Sequence, residues 1–368
     1  MRNVKLSDVA LVVSGQHILE SDYNQRGQGI GYLTGPADFG PIQPIISRWT
    51  QKPKVVCEPD DILVTVKGAG VGKINIAPEE SVAIGRQLMA VRGNSDVVET
   101  DYLFNFLLTR LSHFQSKAVG ATIPGLSRED LEKLDIPLPH IKDQRRIATH
   151  LKSQIAAIEE ACNAAQSQII ELTNLANAII RQSVEHPDTG SANLGNVLEE
   201  VKKGIGAKWA DYPVLGATRK GLALAKDPVG KAPERYKPVF CGTVFYNPMR
   251  IMIGSIAMVD DNDTPGITSP DYVAVKGRPG KVDSRWFYYW LRSPFGERCI
   301  ASLARGAVRE RMLFNRLAEG SIELPPYEVQ VAASRALAEI QPMKTAAEAQ
   351  LREIEKLPSR LLAQAFDS

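Results

Sequence analysis

Three stretches of the chain carry residue types that could do chemistry. Gly68-Ala69-Gly70-Val71-Gly72-Lys73 is rich enough in glycine to cradle a phosphate with its amides. A nucleotide-binding loop needs Gly, four residues, then Gly-Lys-Ser/Thr. Here Lys67 stands at the first required position and Ile74 at the last, so a turn between strands is expected. Pro59-Asp60 with Thr65-Val66-Lys67 has the order of a metal-dependent nuclease core, but Thr65 occupies the place of the second acid that would hold the ion. Pro270-Asp271 with Ala274-Val275-Lys276 lacks the same acid. Tyr246-Asn247-Pro248-Met249 approaches the Asn-Pro-Pro-aromatic loop of adenine methyltransferases, without its second proline, its aromatic or a glycine-rich cofactor loop. No nucleophile–base arrangement follows from the spacing of the five histidines and four cysteines. The chain is expected to hold no catalytic residue, no metal and no cofactor.

Composition narrows the class. Of 368 residues, 44% are hydrophobic and 23% charged, as in globular proteins, and two ordinary domains are expected. No apolar run reaches membrane-spanning length, and residues 1–8 lack an apolar signal core. Cys57, Cys162, Cys241 and Cys299 are unpaired in spacing, which fits a cytoplasmic protein. Residues 191–325 carry 20 basic against 14 acidic residues, whereas residues 1–135 carry 14 against 16. The second segment is therefore suited to an anionic partner.

The elements that would position these loops come in two copies. Ile136-Pro137-Leu138-Pro139 with Gln144 returns 186 residues later as Ile322-Glu323-Leu324-Pro325 with Gln330. Gly120-Ala121 matches Gly306-Ala307, Ala90-Val91-Arg92-Gly93 matches Ala274-Val275-Lys276-Gly277, and Gly72-Lys73-Ile74 matches Gly254-Ser255-Ile256. Leu6-Ser7-Asp8-Val9 matches Leu194-Gly195-Asn196-Val197. Each copy reads as a β-rich segment with one short apolar helix (Tyr102 to Leu111, and the aromatic run Trp286 to Leu291). Strands are expected at Ile62–Val66, Lys73–Ile76, Leu88–Val91, Gly242–Tyr246, Ile251–Val259 and Tyr272–Val275. The aromatic run is expected to pack a core rather than stack on bases.

Between the copies runs a segment from Asp143 to Ser183 without proline or glycine. Leu151, Ile155, Ile158, Cys162, Ala165, Ile169, Leu172, Ala176 and Ile179 follow alternating steps of four and three. This heptad seam, on a helix roughly 60 Å long at about 1.5 Å per residue, needs a partner helix. The partner is the second copy's helix, Glu328 to Ala365, in which Pro342 and Pro358 should kink or break the helix. The expected fold class is α+β: two mixed α/β domains in pseudo-twofold repeat, separated by two long antiparallel helices forming a coiled coil. The boundaries are 1–135 and 191–325 for the domains, and 136–190 and 326–368 for the helices.

Ile136-Pro137-Leu138-Pro139 with Asp143-Gln144-Arg145-Arg146-Ile147 resembles the conserved helix lead-in of type I restriction–modification specificity subunits. Leu357-Pro358-Ser359-Arg360-Leu361-Leu362-Ala363-Gln364-Ala365-Phe366 is similar to the end of that family's second conserved helix, and the two Leu-x-x-Val openings resemble its domain starts. The second lead-in keeps the last proline and the glutamine and lacks the basic pair. The resemblance implies a non-catalytic subunit with two target recognition domains. Each would read one half of a bipartite site in double-stranded DNA, and the coiled coil would set the spacer. Two modification subunits using S-adenosylmethionine would methylate adenine. Two restriction/translocase subunits using ATP and Mg²⁺ would join optionally. A DNA reader of a related phage-defence system with another enzyme partner, and a coiled-coil scaffold without a DNA role, are the alternatives.

On this reading the basic residues of turns and loops are the candidate DNA contacts: Lys67, Lys73, Arg86 and Gln87 in the first copy, and Lys202, Lys203, Lys208, Arg219, Lys220, Arg250, Arg309 and Arg311 in the second. Arg and Gln can make bidentate contacts to base edges, whereas Lys on a turn meets phosphate. Gln144 and Gln330 are expected to help dock the modification subunits.

Overall fold

A computed structural model describes residues 2–41, 43–119, 125–226, 229–304 and 311–366. The chain forms two compact units, Met1–Asn163 with Arg352–Ser368, and Ala164–Leu351. Helix α4 (Ile141–Val184) contributes to both. Among the described residues no helix is long and apolar enough to cross a membrane.

The first unit is built on a four-stranded antiparallel sheet ordered β2 (Ala10–Ser14), β10 (Leu88–Gly93), β7 (Ile62–Thr65), β8 (Ile74–Ile76). Alternation at a period of two sends successive side chains to opposite faces. Ile62, Val64, Met89 and Val91 join one core with helices α1 (Thr100–Thr109), α2 (Leu111–Val119), α3 (Arg128–Glu132), α4 and α10 (Leu357–Phe366). Leu63, Leu88 and Ala90 join another, with Leu33, Cys57, Val82 and Ile84. That second face is covered by a sheet ordered β3 (Tyr23–Asn24), β5 (Trp49–Thr50), β4 (Ile30–Leu33), β9 (Val82–Ile84), β6 (Val56–Cys57). Burial on both faces explains why these strands read as continuous apolar runs. β1 (Arg2–Lys5) pairs antiparallel with β11 (Asp135–Leu138), Val4 opposite Ile136, just ahead of α4.

The second unit repeats the plan. Its sheet runs β13 (Leu198–Glu200), β20 (Val273–Gly277), β17 (Thr243–Tyr246), β18 (Ile256–Val259). Val244, Tyr246, Val273 and Val275 face the helices; Phe245, Ala274, Ala257 and Val259 face the other way. The opposite face carries two small sheets, β14 (Leu215–Thr218) with β15 (Gly221–Leu224), and β16 (Lys237–Val239) with β19 (Gly266–Thr268). β12 (Gly190–Asn193) pairs with β21 (Ser321–Leu324) ahead of α9 (Tyr327–Ile354), as β1 pairs with β11 ahead of α4. Short helices α5 (Leu194–Val197), α6 (Ser284–Arg292), α7 (Pro294–Leu303) and α8 (Phe314–Leu317) complete the unit. The matched openings are equivalent in contact: Leu6 N donates to Leu134 O at 2.8 Å and Leu194 N to Gly320 O at 2.9 Å. The aromatic run packs as expected, with Trp286, Phe287, Trp290 and Leu291 buried.

The seam on α4 finds its partners at both ends. In the first unit Ala148 and Leu151 share a core with Leu361, Leu362, Ala365 and Phe366 of α10. In the second, Leu172, Ala176, Ile180 and Val184 share a core with Ala333, Leu337 and Ile340 of α9, and Lys344 Nζ donates to Thr173 Oγ1 at 3.0 Å. In each unit, therefore, α4 packs against a segment of the second copy's helices. Two expectations need correction. Pro342 does not break the helix: it lies on an exposed stretch of α9, where water can satisfy the carbonyl one turn back. The break falls at Glu355–Lys356, and Pro358 sits in the first turn of α10, where a missing amide costs nothing. The strand expected over Ile251–Val259 starts only at Ile256, because Ile251–Ile253 form a 3-10 turn closed by Gly254 at φ +80°.

Candidate nucleic-acid interface

The glycine turn at 68–72 joins β7 to β8 and spends its amides internally. Val71 N donates to Gly68 O, Gly72 N to Thr65 O at 2.9 Å, and Lys73 N to Gly70 O. Gly72 and its repeat mate Gly254 both need a left-handed backbone, φ +85° and +80°. Beside Pro59-Asp60, the buried carboxylate is Asp61, held bidentately by Arg92 through Nε (2.9 Å) and Nη2 (2.8 Å). Arg92 also reaches Glu58 at 2.6 Å, and these partners raise its pKa, the hydrogen bond to Asp61 foremost. Asn247 Oδ1 accepts from Met249 N at 2.9 Å, an Asx turn at the end of β17. Among the described residues no group of three or more His, Cys, Asp and Glu could hold a metal ion.

Gln144 and Gln330 occupy equivalent, fully enclosed positions, 0% and 1% exposed. Gln144 Oε1 accepts from Glu99 N (2.9 Å), while Nε2 donates to Val97 O (3.0 Å) and Pro139 O (2.9 Å). Gln330 Oε1 accepts from Asp283 N (3.0 Å), while Nε2 donates to Lys281 O (3.1 Å) and Pro325 O (2.8 Å). In each unit the amide therefore ties the start of a long helix to the residue that caps α1 or α6. Glu99 and Asp283 in turn accept from Tyr102 N and Trp286 N. Neither glutamine is accessible to a docking subunit, which corrects that expectation.

In the first unit the candidate contacts gather on neighbouring loops. Lys67 and Lys73 are exposed on either side of the glycine turn. Val66 N donates to Gln87 O at 2.8 Å, which sets exposed Arg86 and half-buried Gln87 beside Lys67. The Gln87 amide lies against Gly35, where a Cβ would stand 2.0 Å from its oxygen.

In the second unit the candidates separate into groups. Arg219 and Lys220 are exposed at the tip of the β14–β15 hairpin, and Arg250 is exposed in the β17–β18 connection. Lys202 and Lys203 line a different cleft with Lys276, Glu199 and Glu200, and Lys202 approaches Glu200 at 3.6 Å. Nearby Lys237, half-buried and donating to Tyr272 O, has its pKa lowered by that burial. Lys208 is exposed in the turn Gly206–Asp211, and Arg311 pairs with Asp271 at 3.5 Å. Arg309, Gly120-Ala121 and Gly306-Ala307 lie outside the described residues. The sequence reading passed over Arg292, whose guanidinium joins the first group's two loops. It also passed over Met252 and Ile253, half exposed beside Arg250. The signal was available in the apolar triplet Ile251-Met252-Ile253 running directly into a glycine.

Residues 1–165 match the type I restriction modification DNA specificity domain. A Methanocaldococcus jannaschii protein assigned as the MjaX type I restriction enzyme specificity subunit is 36% identical over 142 residues, 39% of this chain. The chain spans about a third (33%) of the length of that relative. The MjaVIII specificity subunit of the same organism is 20% identical over 342 residues, 84% of this chain and 79% of that protein. A chain solved in work on complex assembly and conformational transition of the type I R-M system superimposes with a TM-score of 0.70 at 16% identity, covering 99% of this chain and 97% of that one. The HsdS subunit of Thermoanaerobacter tengcongensis gives 0.55 at 16% identity, with 99% and 96% covered. The S subunit of M. genitalium gives 0.52 at 15%, with the same coverage. At these identities the likeness to solved chains speaks for the fold. Residues 1–165 thus carry the type I restriction modification DNA specificity domain, and the chain is similar along most of its length to a type I restriction enzyme specificity subunit.

Proposed function

We propose that the chain is the DNA-reading subunit of a type I restriction–modification complex and does no chemistry itself. Residues 1–135 and 191–325 each read one half of a bipartite, non-palindromic site in double-stranded DNA. The helices of 136–190 and 326–368 hold the two readers at a fixed separation, so the length of the unread spacer becomes a geometric requirement. Two modification subunits dock on the chain and methylate adenine with S-adenosylmethionine; two restriction subunits using ATP and Mg²⁺ join for cleavage. The work is done on cytoplasmic DNA.

One observation carries the reading. The two units share sheet order, core alternation and an identical glutamine clamp at the root of a long helix. Yet the loops at the sheet ends differ: Gly-Ala-Gly in one, Ile-Met-Ile in the other. A duplicated frame with unlike loops suits two readers of unlike half-sites.

The test is to express the chain with its cognate modification subunit in a host lacking such systems and to sequence the methylome. A new adenine-methylated motif in two parts with a fixed gap is expected. Exchange of residues 191–325 for those of another specificity subunit should alter one part only. No new motif, or one uninterrupted motif, would overturn the reading.

A further inference from the structure

Two loops of the second unit are fastened into one edge by two side chains, Arg292 and Ser255. Arg292, at the end of α6, donates from Nη2 to Arg219 O (2.6 Å) at the β14–β15 tip. From Nη1 it donates to Ile256 O (2.7 Å) and Gly254 O (3.3 Å), at the end of the β17–β18 connection. Its guanidinium lies 5.5 Å from the Tyr288 ring centroid. A second tie runs alongside: buried Ser255 Oγ donates to Ala217 O at 2.6 Å. The hairpin and the connection therefore cannot part without breaking at least two hydrogen bonds, Arg292 Nη2 to Arg219 O and Ser255 Oγ to Ala217 O.

The edge so formed has an unusual outer surface. Met249, Met252 and Ile253 are 54%, 56% and 49% exposed on one short connection. Around them stand Arg219, Lys220 and Arg250, all exposed. Met252 and Ile253 also line a cleft of about 490 Å³ with Arg219, Arg292 and one acid, Glu297. A core would have withdrawn these apolar groups from water. Here the left-handed Gly254 ends the 3-10 turn with Met252 and Ile253 facing out. An apolar tip ringed by cations fits a nucleic-acid groove. The cations meet phosphates, while the apolar groups lie on base edges, where thymine methyls and stacked steps are the apolar surface offered.

We propose that this edge reads one half-site in the DNA major or minor groove, with Met252 and Ile253 against the bases and Arg292 as the residue that positions both loops. The proposal rests on the DNA-reading function argued above and assigns it to particular groups. Arg292 is assigned no base contact: three of its five N–H donors are held by carbonyls.

The experiment uses the full chain in complex with its modification subunit and a pool of duplexes with a random central region. Bound duplexes are sequenced for wild type, Met252→Ser/Ile253→Ser, Arg292→Lys and Arg292→Gln. Wild type should select a bipartite motif. The double serine variant should lose about tenfold or more of its discrimination at positions within one half only. Arg292→Gln should blur the same half, and Arg292→Lys, which keeps the charge but not the fork, should fall between. Melting temperatures of the variants are compared with wild type, so that global unfolding is recognised by equal loss in both halves. Unchanged discrimination by the double variant overturns the assignment. So does loss of the modification subunit from the complex with DNA selectivity intact, which would make the tip a protein contact. If wild type selects no motif, the functional reading fails and this inference with it.

Discussion

The two units share a frame and differ in how its joints are filled. In the first, the junction of α1 with the long helices is closed from the chain's end: Phe366 stands 5.1 Å from the Tyr102 ring and 5.8 Å from Phe106. In the second, the equivalent place is filled from α6. Trp286 is buried there, and its Nε1 donates to Ser183 Oγ at 2.8 Å. The first joint is closed by α10, more than two hundred residues from α1 in sequence, the second by α6 against α4, 103 residues away. Repetition has thus kept backbone geometry and the glutamine clamps while leaving the aromatic filling free to vary. The largest effect should expose that difference. Phe366→Ala should destabilise the first unit by about 3–5 kcal/mol, the cost of emptying an aromatic site. Hydrogen exchange should show lost protection in α1, α10 and the start of α4, with α6 and α9 unchanged. Equal loss in α6 and α9 would mean that the units do not pack separately.

The glutamine clamps test the sameness rather than the difference. Removing either amide strands one backbone N–H and two carbonyls in buried surroundings, at about 1–3 kcal/mol for an unmade bond of this kind. Gln144→Ala and Gln330→Ala should each cost about 3 kcal/mol by denaturant unfolding, alike within about 1 kcal/mol. Gln→Glu should be no better, because a carboxylate cannot donate to the two carbonyls. A harmless Gln330→Ala beside a damaging Gln144→Ala would break the equivalence of the joints.

Ion pairs separate the units again. Asp61 is 2% exposed and depends on the Arg92 fork, so Arg92→Ala leaves a buried carboxylate unpaired and should cost about 3 kcal/mol. Arg285 also grips two carboxylates, Asp260 and Asp261, but those are 26% and 67% exposed. Water can replace that partner, and Arg285→Ala should cost about 1 kcal/mol or less. Comparable losses on unfolding the two variants would show that burial is not what sets them apart.

Much of this frame was legible in the sequence. The nine seam positions on α4 are all buried or half-buried, because a heptad pattern on an unbroken helix admits one buried stripe. Among the described residues the repeat offsets landed on equivalent strands and turns, since buried alternation tolerates little drift. What was misread depends on contacts distant in sequence. A glutamine in the first turn of a helix looks like a surface residue. Only the fold brings Val97 and Glu99 to Gln144, 47 and 45 residues away. Pro342 looked like a break because the sequence hides which face of the helix it occupies. Met252 and Ile253 looked like strand core because a two-sided apolar run cannot tell a buried strand from an exposed turn.

The smallest effect concerns the caps of two matched short helices. α3 begins at Ser127, whose Oγ accepts from Asp130 N while Asp130 accepts back from Ser127 N, and Lys117 reaches Asp130 at 2.8 Å. The hydrogen bond from Lys117, then that from Ser127, hold the Asp130 pKa down to about 2 from an ordinary 3.8. A folded-state pKa below the unfolded one gives stability that is present above about pH 4 and is lost as pH falls towards 2. Its matched helix α8 starts at Leu313, which offers no side-chain cap, so this matched position carries no such acid-labile joint. The pair is partly exposed and screened, so the loss should be about 1 kcal/mol or less. Between pH 5 and 2, exchange protection of α3 should decline in the wild type more than in Asp130→Asn, and α8 should be insensitive to the substitution. Because Asn keeps much of the capping geometry but cannot titrate, matching acid curves for the two proteins would rule out Asp130 as the titrating group.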